Sequence, residues 1–139
     1  MFIYSEVEMD SRVKVLVYSD NSDVRESVMR SVGRTVPGTG VAIDWMEGAT
    51  PDGTILKIKE AEEANEPFNL LILDAETPKL GGIGLGKMVR DEINPETPYI
   101  VLIARPQDEW LARVATPQAI LPYPVDSAAL SRAVHDILS

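Results

Sequence analysis

Apolar residues follow two different periods along the chain. Short, nearly continuous apolar runs lie at 13–18, 41–46, 70–73, 99–104 and 119–121, and runs of this length predict buried strands. After each run comes a segment in which apolar residues recur every three or four positions, a spacing that places them on one face of a helix. The pattern therefore predicts a strand followed by a helix, five times.

Local residues set the expected ends of the helices. Ser22 or Asp23 is expected to cap the first helix, and Gly33 is expected to end it. Asp126 is expected to cap the last helix by accepting a hydrogen bond from a free backbone N–H group. The glycines between positions 81 and 86 predict a weak start for the third helix, because glycine is a poor helix former.

Alternating strands and helices of this kind predict an α/β domain. Right-handed crossovers place each helix against the sheet, so the apolar strands form a parallel sheet that is covered on both faces. We expect a five-stranded, doubly wound sheet of the flavodoxin-like type. The chain of 139 residues has room for one such domain, which we expect over residues 13–139. Residues 1–12 are expected to be an amino-terminal extension, either a frayed terminus or a docking peptide that orders on a partner.

Composition and charge exclude several classes of site. Lys and Arg number 13 against 22 Asp and Glu, and the resulting charge of −9 argues against direct binding of nucleic acid or anionic lipid. The chain has no cysteine and a single histidine, His135, which excludes disulfides, thiolate catalysis and metal sites built from paired histidines. We expect His135 itself to be a surface or helix-end residue. Without a membrane-length apolar run or a signal-peptide pattern, the protein is expected to be cytoplasmic.

The carboxyl ends of the predicted strands carry the candidate chemistry, because ligands of doubly wound folds bind at that edge of the sheet. Asp20 follows the first strand, Asp74 follows the third, and Glu76 lies two residues further on. Carboxylates that converge there suit Mg²⁺, a hard cation that prefers oxygen ligands. Asp20, Asp74 and Glu76 are therefore the candidate metal ligands.

Three segments of the chain resemble those of a known family. The first is LLILDAETPKLGG, in which a proline follows Asp74 by four residues and a glycine follows it by eight. This segment resembles the phospho-acceptor region of response-regulator receiver domains. VLVYSDNSDVRE resembles the start of a receiver, and PYPVD resembles the turn before its last helix. The resemblance runs from about Val13 to Leu138, and it implies a receiver-like domain with Asp74 as the phospho-acceptor candidate.

Four positions depart from the receiver pattern. Ser19 stands where receivers usually carry a second acid, and Ile103 stands where they carry threonine or serine. Tyr123 stands where they carry lysine, and Ile120 where an aromatic side chain moves during the switch. The resemblance therefore implies weak Mg²⁺ binding, poor phosphorylation and a static module with no required cofactor. Arg105 is a candidate for supplying the missing positive charge.

These residues predict a binding function rather than an enzyme. We expect an atypical, stand-alone response-regulator-like protein that binds another protein without being phosphorylated, as a subunit or regulator of a larger assembly. Trp110 is the interface candidate, because its predicted helix is too short to bury it fully and aromatic anchors are enriched at interfaces.

Two alternative functions remain open. In the first, the protein is a single-domain response regulator that accepts phosphate on Asp74 from a sensor kinase. In the second, it is a flavodoxin-like nucleotide or flavin binder. The second is disfavoured because the turn after the first strand lacks a phosphate-binding glycine loop.

Overall fold

Five parallel strands form one sheet at the centre of the structure, a computed structural model that describes residues 12–77 and 80–139. The strands are β1 Arg12–Tyr18, β2 Ala42–Gly48, β3 Leu70–Asp74, β4 Tyr99–Ile103 and β5 Ala119–Pro122. They lie in the order β2-β1-β3-β4-β5, which confirms the predicted flavodoxin-like fold class. The proposed amino-terminal extension lies outside the described residues except for Arg12, where β1 begins.

Five helices cover the two faces of this sheet. They are α1 Ser22–Val32, α2 Pro51–Glu63, α3 Gly82–Met88, α4 Glu109–Val114 and α5 Ser127–Leu138. One apolar cluster packs beneath α1 and α5, and the other packs beneath α2, α3 and α4. Within the part of the chain that the structure describes, no helix is long and apolar enough to cross a membrane.

The strand side chains alternate between these two apolar clusters, as the pleat of a sheet requires. In β1, Val15 and Val17 face the cluster beneath α1 and α5, whereas Leu16 and Tyr18 face the other. All residues of β3 and β4 are buried, because these strands are internal to the sheet and have helices on both sides. The core therefore holds the carboxyl ends of both strands, where the candidate chemistry lies.

The first helix has a different cap from the two that the sequence predicts. The cap is Asn21, whose side chain accepts a hydrogen bond from the Asp23 N–H group at 2.9 Å. Asn21 has the extended backbone that a cap requires, whereas Ser22 and Asp23 are already helical. Gly33 ends α1 as predicted, with a φ of 93° that glycine adopts without strain.

Asp126 caps α5 as predicted, and its removal is expected to destabilise the fold. Its carboxylate accepts hydrogen bonds from the N–H groups of Ala128 at 3.0 Å and Ala129 at 3.3 Å. Asp126→Ala is expected to lower the free energy of unfolding by about 1 kcal/mol, measured by urea denaturation. Asp126→Asn keeps a capping oxygen and is the control. An equal loss in both variants would contradict the capping explanation.

The glycines of α3 mark places where the helix lies very close to the sheet. A Cβ atom on Gly82 would lie 2.7 Å from the Leu73 Cβ and 2.8 Å from the Leu73 carbonyl group, and one on Gly86 would overlap the Tyr99 ring. The glycines therefore serve close packing against β3 and β4, which the low helix propensity of glycine does not predict. The helix continues as a π-helical turn over Val89–Ile93.

The connection from α1 to β2 folds back along the outer edge of β2. The Ile43 N–H group donates to the Arg34 carbonyl at 2.8 Å, next to an antiparallel bridge between the two segments. Val36 of this connection is buried in the cluster beneath α1 and α5. His135, in the last turn of α5, contacts the Pro37 carbonyl through Nδ1 at 2.7 Å. The predicted helix-end histidine thus helps to hold the connection in place.

Candidate functional site

Asp74 ends β3 and lies between the carboxyl ends of the two neighbouring strands. In the parallel register, Leu73 is opposite Tyr18 of β1, and Asp74 is opposite Leu102 of β4. Only 7% of Asp74 is exposed, although aspartate is rarely buried without partners. A carboxylate buried to this extent requires hydrogen-bond donors from the protein.

Both carboxylate oxygens of Asp74 accept hydrogen bonds from within the protein. The Ser19 hydroxyl donates to Oδ2 at 2.7 Å, and the Glu76 N–H group donates to Oδ1 at 2.8 Å. Ser19 is completely buried, and its Oγ also accepts from the Asn21 N–H group at 3.0 Å. The serine that replaces an acid of the receiver pattern is therefore a direct hydrogen-bond donor to the candidate phospho-acceptor.

Arg25 of α1 fixes the backbone at Ser19, although no motif in the sequence marks it as a site residue. Its Nη1 donates to the Ser19 carbonyl at 2.6 Å, and its Nε donates to the Glu47 carboxylate at 2.9 Å. Only 14% of the Arg25 side chain is exposed. The one signal in the sequence is its position four residues after Asn21, which places it on the helix face above the loop that it holds.

The three candidate metal ligands are not gathered into one site. Within the described part of the chain, no group of three or more acidic or histidine side chains is close enough to hold a metal ion. Asp20 and Glu76 are exposed, whereas Asp74 is buried. Burial raises the pKa of the Tyr18 hydroxyl, and the negative charges of Asp20 and Asp74 raise it further, so both carboxylates lie within electrostatic reach of that hydroxyl.

Tyr18 also anchors the loop that follows Asp74. Its hydroxyl donates to the Leu80 carbonyl at 2.5 Å, and the Thr77 hydroxyl donates to the same carbonyl at 2.7 Å. Because Tyr18 is completely buried in β1, its hydrogen bond ties Leu80 to the sheet.

The segment after β4 contacts Glu76. The Ala104 N–H group donates to Glu76 Oε2 at 3.3 Å. Arg105, the candidate source of a positive charge, pairs with Asp108 through Nε at 3.0 Å and Nη2 at 3.1 Å. These hydrogen bonds, together with the charge of Asp108, raise the pKa of the Arg105 guanidinium. The guanidinium of Arg105 is thus paired with Asp108, in the turn that precedes α4.

Two of the predicted switch positions, Ile103 and Ile120, are apolar and lie on the same side of the sheet. Ile103 and Ile120 line an open depression between β4, β5 and the turn before α4, together with Pro106 and Pro122. Neither isoleucine carries a polar group that a phosphoryl oxygen would attract. Tyr123 packs on the opposite side, against the apolar cluster beneath α1 and α5.

Trp110 lies on an exposed apolar surface of α4, which we call the Trp110 surface and which comprises Trp110, Leu111 and Val114. Trp110 is 64% exposed and Val114 is 65% exposed. The helix has six residues and buries only Ala112 completely, so it is too short to cover its larger apolar side chains. The predicted exposure of Trp110 is confirmed, and its use in an interface stays a prediction.

Comparison with known proteins decides the family. No protein-family model matches the chain. An uncharacterized response regulatory protein of Mycobacterium tuberculosis is 34% identical over 131 residues, which cover 94% of this chain and 95% of that protein. The chain belongs to the response-regulator receiver family. The predicted family resemblance is therefore confirmed.

The receiver also resembles part of a much larger protein and many solved receiver structures. It is 27% identical over 100 residues to the osmosensing histidine protein kinase SLN1 of Saccharomyces cerevisiae, which covers 71% of the receiver and 8% of the kinase. A response regulator receiver domain protein from Clostridium thermocellum superposes with a TM-score of 0.72 at 20% identity, covering 91% of the receiver and 94% of the solved chain. At that identity the superposition shows the fold.

Proposed function

We propose that this receiver is an atypical, stand-alone module that binds another protein without phosphorylation of Asp74. The observation that carries the proposal is the pair of hydrogen bonds that Asp74 accepts from Ser19 and from the Glu76 backbone. These bonds satisfy both carboxylate oxygens inside the protein, in a site where the second acid of the receiver pattern is replaced by a neutral hydroxyl. The proposed module is not an enzyme, is cytoplasmic and requires no cofactor.

Phosphorylation of Asp74 would bring two anions together, and it therefore depends on a metal ion and fixed positive charges. At the positions where receivers carry these groups, Ser19 supplies no carboxylate, Ile103 supplies no hydroxyl at the end of β4, and Tyr123 supplies no ammonium group. Each lost hydrogen bond to a charged group removes about 1.5–3 kcal/mol of stabilisation, and each 1.4 kcal/mol corresponds to roughly a tenfold change in rate. We therefore expect Mg²⁺ to bind weakly and phosphorylation to be very slow.

The proposed partner is a protein, and the Trp110 surface is the proposed contact. Exposed aromatic and aliphatic side chains grouped on one helix are typical of interface anchors. The net charge of −9 disfavours nucleic acid and anionic lipid as partners. A partner that binds the Trp110 surface would not require phosphorylation of Asp74, which lies at the carboxyl end of β3.

The alternative function is a phosphorylatable single-domain regulator that receives phosphate on Asp74 from a sensor kinase. The position of Asp74 at the carboxyl end of β3 favours it, as does the sequence similarity to a histidine protein kinase. Receiver domains interact with sensor kinases, so this alternative would make the kinase the partner.

A pull-down experiment separates the two functions. Trp110→Ala is expected to reduce recovery of the bound protein about 30-fold, because a buried interface tryptophan contributes about 2 kcal/mol or more. Asp74→Asn is expected to leave recovery unchanged. Leu56→Ala on α2 is the matched control, since Leu56 is a similarly exposed apolar residue outside the Trp110 surface.

The same proteins should be incubated with acetyl phosphate and Mg²⁺ and weighed by intact-protein mass spectrometry. We expect no phosphoryl adduct on the wild type. An adduct that disappears in Asp74→Asn, together with partner binding that requires the phosphodonor, would overturn the proposal in favour of the alternative.

A further inference from the structure

The carboxyl end of α4, next to the Trp110 surface, is held by side chains from two other elements. The Arg90 guanidinium donates through Nη1 to the Ala115 carbonyl and to the Thr116 hydroxyl. The Tyr99 hydroxyl of β4 donates to the same Ala115 carbonyl. Carbonyl groups at the end of a helix have no partner within the helix, so these donors satisfy groups that α4 itself cannot satisfy.

The apolar contacts of α4 with the rest of the fold are few. The helix has six residues, and it buries only Ala112 completely. Three of the remaining five residues form the exposed Trp110 surface. A helix of this length spans about 9 Å, so a contact at its carboxyl end fixes the direction of the whole element. The orientation of the Trp110 surface therefore depends on how the end of α4 is held.

Arg90 belongs to the π-helical turn that follows α3. The Asn94 N–H group donates to the Val89 carbonyl at 2.8 Å, which is the wider hydrogen-bond spacing of a π-helix. The Arg90 Nε pairs with the Asp91 carboxylate at 3.5 Å, and the Arg90 side chain is partly buried. Its positive charge lies at the carboxyl end of α4, where the dipole of a helix favours a cation.

The residue that ends α4 has a backbone conformation that requires support. Thr116 has a φ of 53°, in the left-handed region that a β-branched residue rarely adopts. Such a conformation persists only where surrounding contacts determine it. The hydrogen bond from Arg90 to the Thr116 hydroxyl is a contact of this kind, so Arg90 holds both the carbonyl and the following side chain at the end of the helix.

We propose that Arg90 is the positioning residue of the Trp110 surface, and that it holds α4 in one orientation whatever the state of Asp74. The inference rests on the proposed function and deepens it, because it names the residue that keeps the contact surface ready for a protein partner. A surface that is held from the π-helical turn requires no signal from the strand ends.

The hydrogen bonds of Arg90 and those of Asp74 belong to separate networks. Asp74 accepts from Ser19 and from the Glu76 backbone at the carboxyl end of β3. Arg90 lies in the turn between α3 and the start of β4, and it donates to the end of α4 and to Asp91. The two networks share no residue, which supports an orientation of α4 that is independent of Asp74.

The first test is amide hydrogen exchange at Ala115 and Thr116, whose N–H groups donate to carbonyl groups of α4. Arg90→Met is expected to make both amides exchange at least about tenfold faster, because loss of a hydrogen bond to a charged group favours local opening. The Leu130 amide of α5 is the internal reference and is expected to keep its rate. Lys87→Met is the matched control, since Lys87 also pairs with Asp91 but donates to no group of α4 in the described structure.

Two outcomes of this experiment overturn the proposal. In one, Ala115 and Thr116 exchange at the same rate in the wild type and in Arg90→Met. In the other, the Leu130 amide accelerates by the same factor, which would mean that Arg90 stabilises the whole fold and does not position α4. Should Arg90→Met fail to fold, Arg90→Gln keeps a polar side chain that ends short of the Nη1 position, and the same local acceleration is expected.

The second test observes the Trp110 surface directly, by ¹⁹F NMR of protein labelled with 5-fluorotryptophan. The chain has two tryptophans, and Trp110→Phe assigns their resonances. Arg90→Met is expected to broaden the Trp110 resonance at least about twofold, because α4 would then exchange between orientations. The Trp45 resonance is expected to stay unchanged, since its indole donates to the Gly33 carbonyl at 2.8 Å on the other side of the sheet. An unchanged Trp110 resonance in Arg90→Met overturns the proposal.

Failure of this inference differs from failure of the proposed function. The inference fails at the end of α4, in the exchange rates and the Trp110 resonance, whether or not a partner is known. The proposed function fails at Asp74, through a phosphoryl adduct that controls partner binding. A wild type that requires phosphorylation to bind its partner, with exchange in α4 that still depends on Arg90, would reject the function while leaving the role of Arg90 in holding α4.

Discussion

Replacing Ser19 by aspartate is expected to lower the free energy of unfolding by about 3 kcal/mol at neutral pH without divalent cations. Ser19 is completely buried, and its hydroxyl lies 2.7 Å from Asp74 Oδ2. Ser19→Asp would remove a hydrogen-bond donor and set a second carboxylate against the first. An uncompensated buried charge costs about 3–5 kcal/mol, although protonation of one carboxyl limits the loss.

Mg²⁺ is expected to restore much of this stability in Ser19→Asp and to leave the wild type almost unchanged. Two adjacent carboxylates provide the oxygen ligands that Mg²⁺ prefers, and binding to the folded state alone raises its stability. The loss is also expected to shrink as the pH falls. Repulsion raises the pKa of one carboxyl in the folded state above its unfolded value, so the penalty is present above that folded pKa and is removed by protonation below it.

Urea denaturation with and without Mg²⁺ measures both effects, and Ser19→Ala is the control. The alanine variant loses the hydrogen bond to Asp74 and is expected to be destabilised by about 1–3 kcal/mol with no response to Mg²⁺. If the wild type and Ser19→Asp respond equally to Mg²⁺, the serine is not what limits metal binding at this site.

Replacing Gly82 by alanine is expected to destabilise the fold by about 3 kcal/mol. The new Cβ would lie 2.7 Å from the Leu73 Cβ and 2.8 Å from the Leu73 carbonyl carbon and oxygen. Because the strand backbone next to Asp74 cannot move aside, α3 has to shift away from the sheet, and overpacking of this kind typically costs about 1–3 kcal/mol.

Gly84→Ala provides a matched control in the same helix. Its Cβ would meet the Leu80 Cδ1 at 2.9 Å, and that atom is the far end of a flexible side chain. Alanine is also a better helix former than glycine by about 1 kcal/mol, so this variant is expected to be neutral or slightly more stable in urea denaturation. Equal losses in the two variants would show that close packing at Gly82 is not the cause.

The strands and helices of this protein could be predicted because their signals are local. The apolar run at 70–73 becomes β3, Leu70–Asp74, and the Asp126 cap precedes its helix as expected. Asn21 was missed because three polar residues stand in sequence at the start of α1, and only the backbone conformation decides which of them is the cap.

The contacts that define the site could not be predicted in this way. Ser19 and Asp74 are 55 residues apart, and the sequence shows a missing acid there without showing the hydrogen bond that takes its place. Arg25 acts by donating hydrogen bonds to the Ser19 carbonyl and to the Glu47 carboxylate on β2. No sequence motif identifies contacts of this kind. Pairing between distant residues depends on the packed fold, which periodicity does not specify.

The connection from α1 to β2 has a consequence for the behaviour of the molecule in concentrated solution. β2 is an outer strand, and the free N–H and carbonyl groups of an outer strand can recruit a strand from another molecule. The hydrogen bond from Ile43 to Arg34 occupies part of that edge, and the exposed charged side chains of Asp44 and Glu47, paired with Arg12 and Arg25, follow it along the strand. We therefore expect the β2 edge to recruit strands from other molecules poorly, which leaves β5 as the outer strand with the more accessible edge.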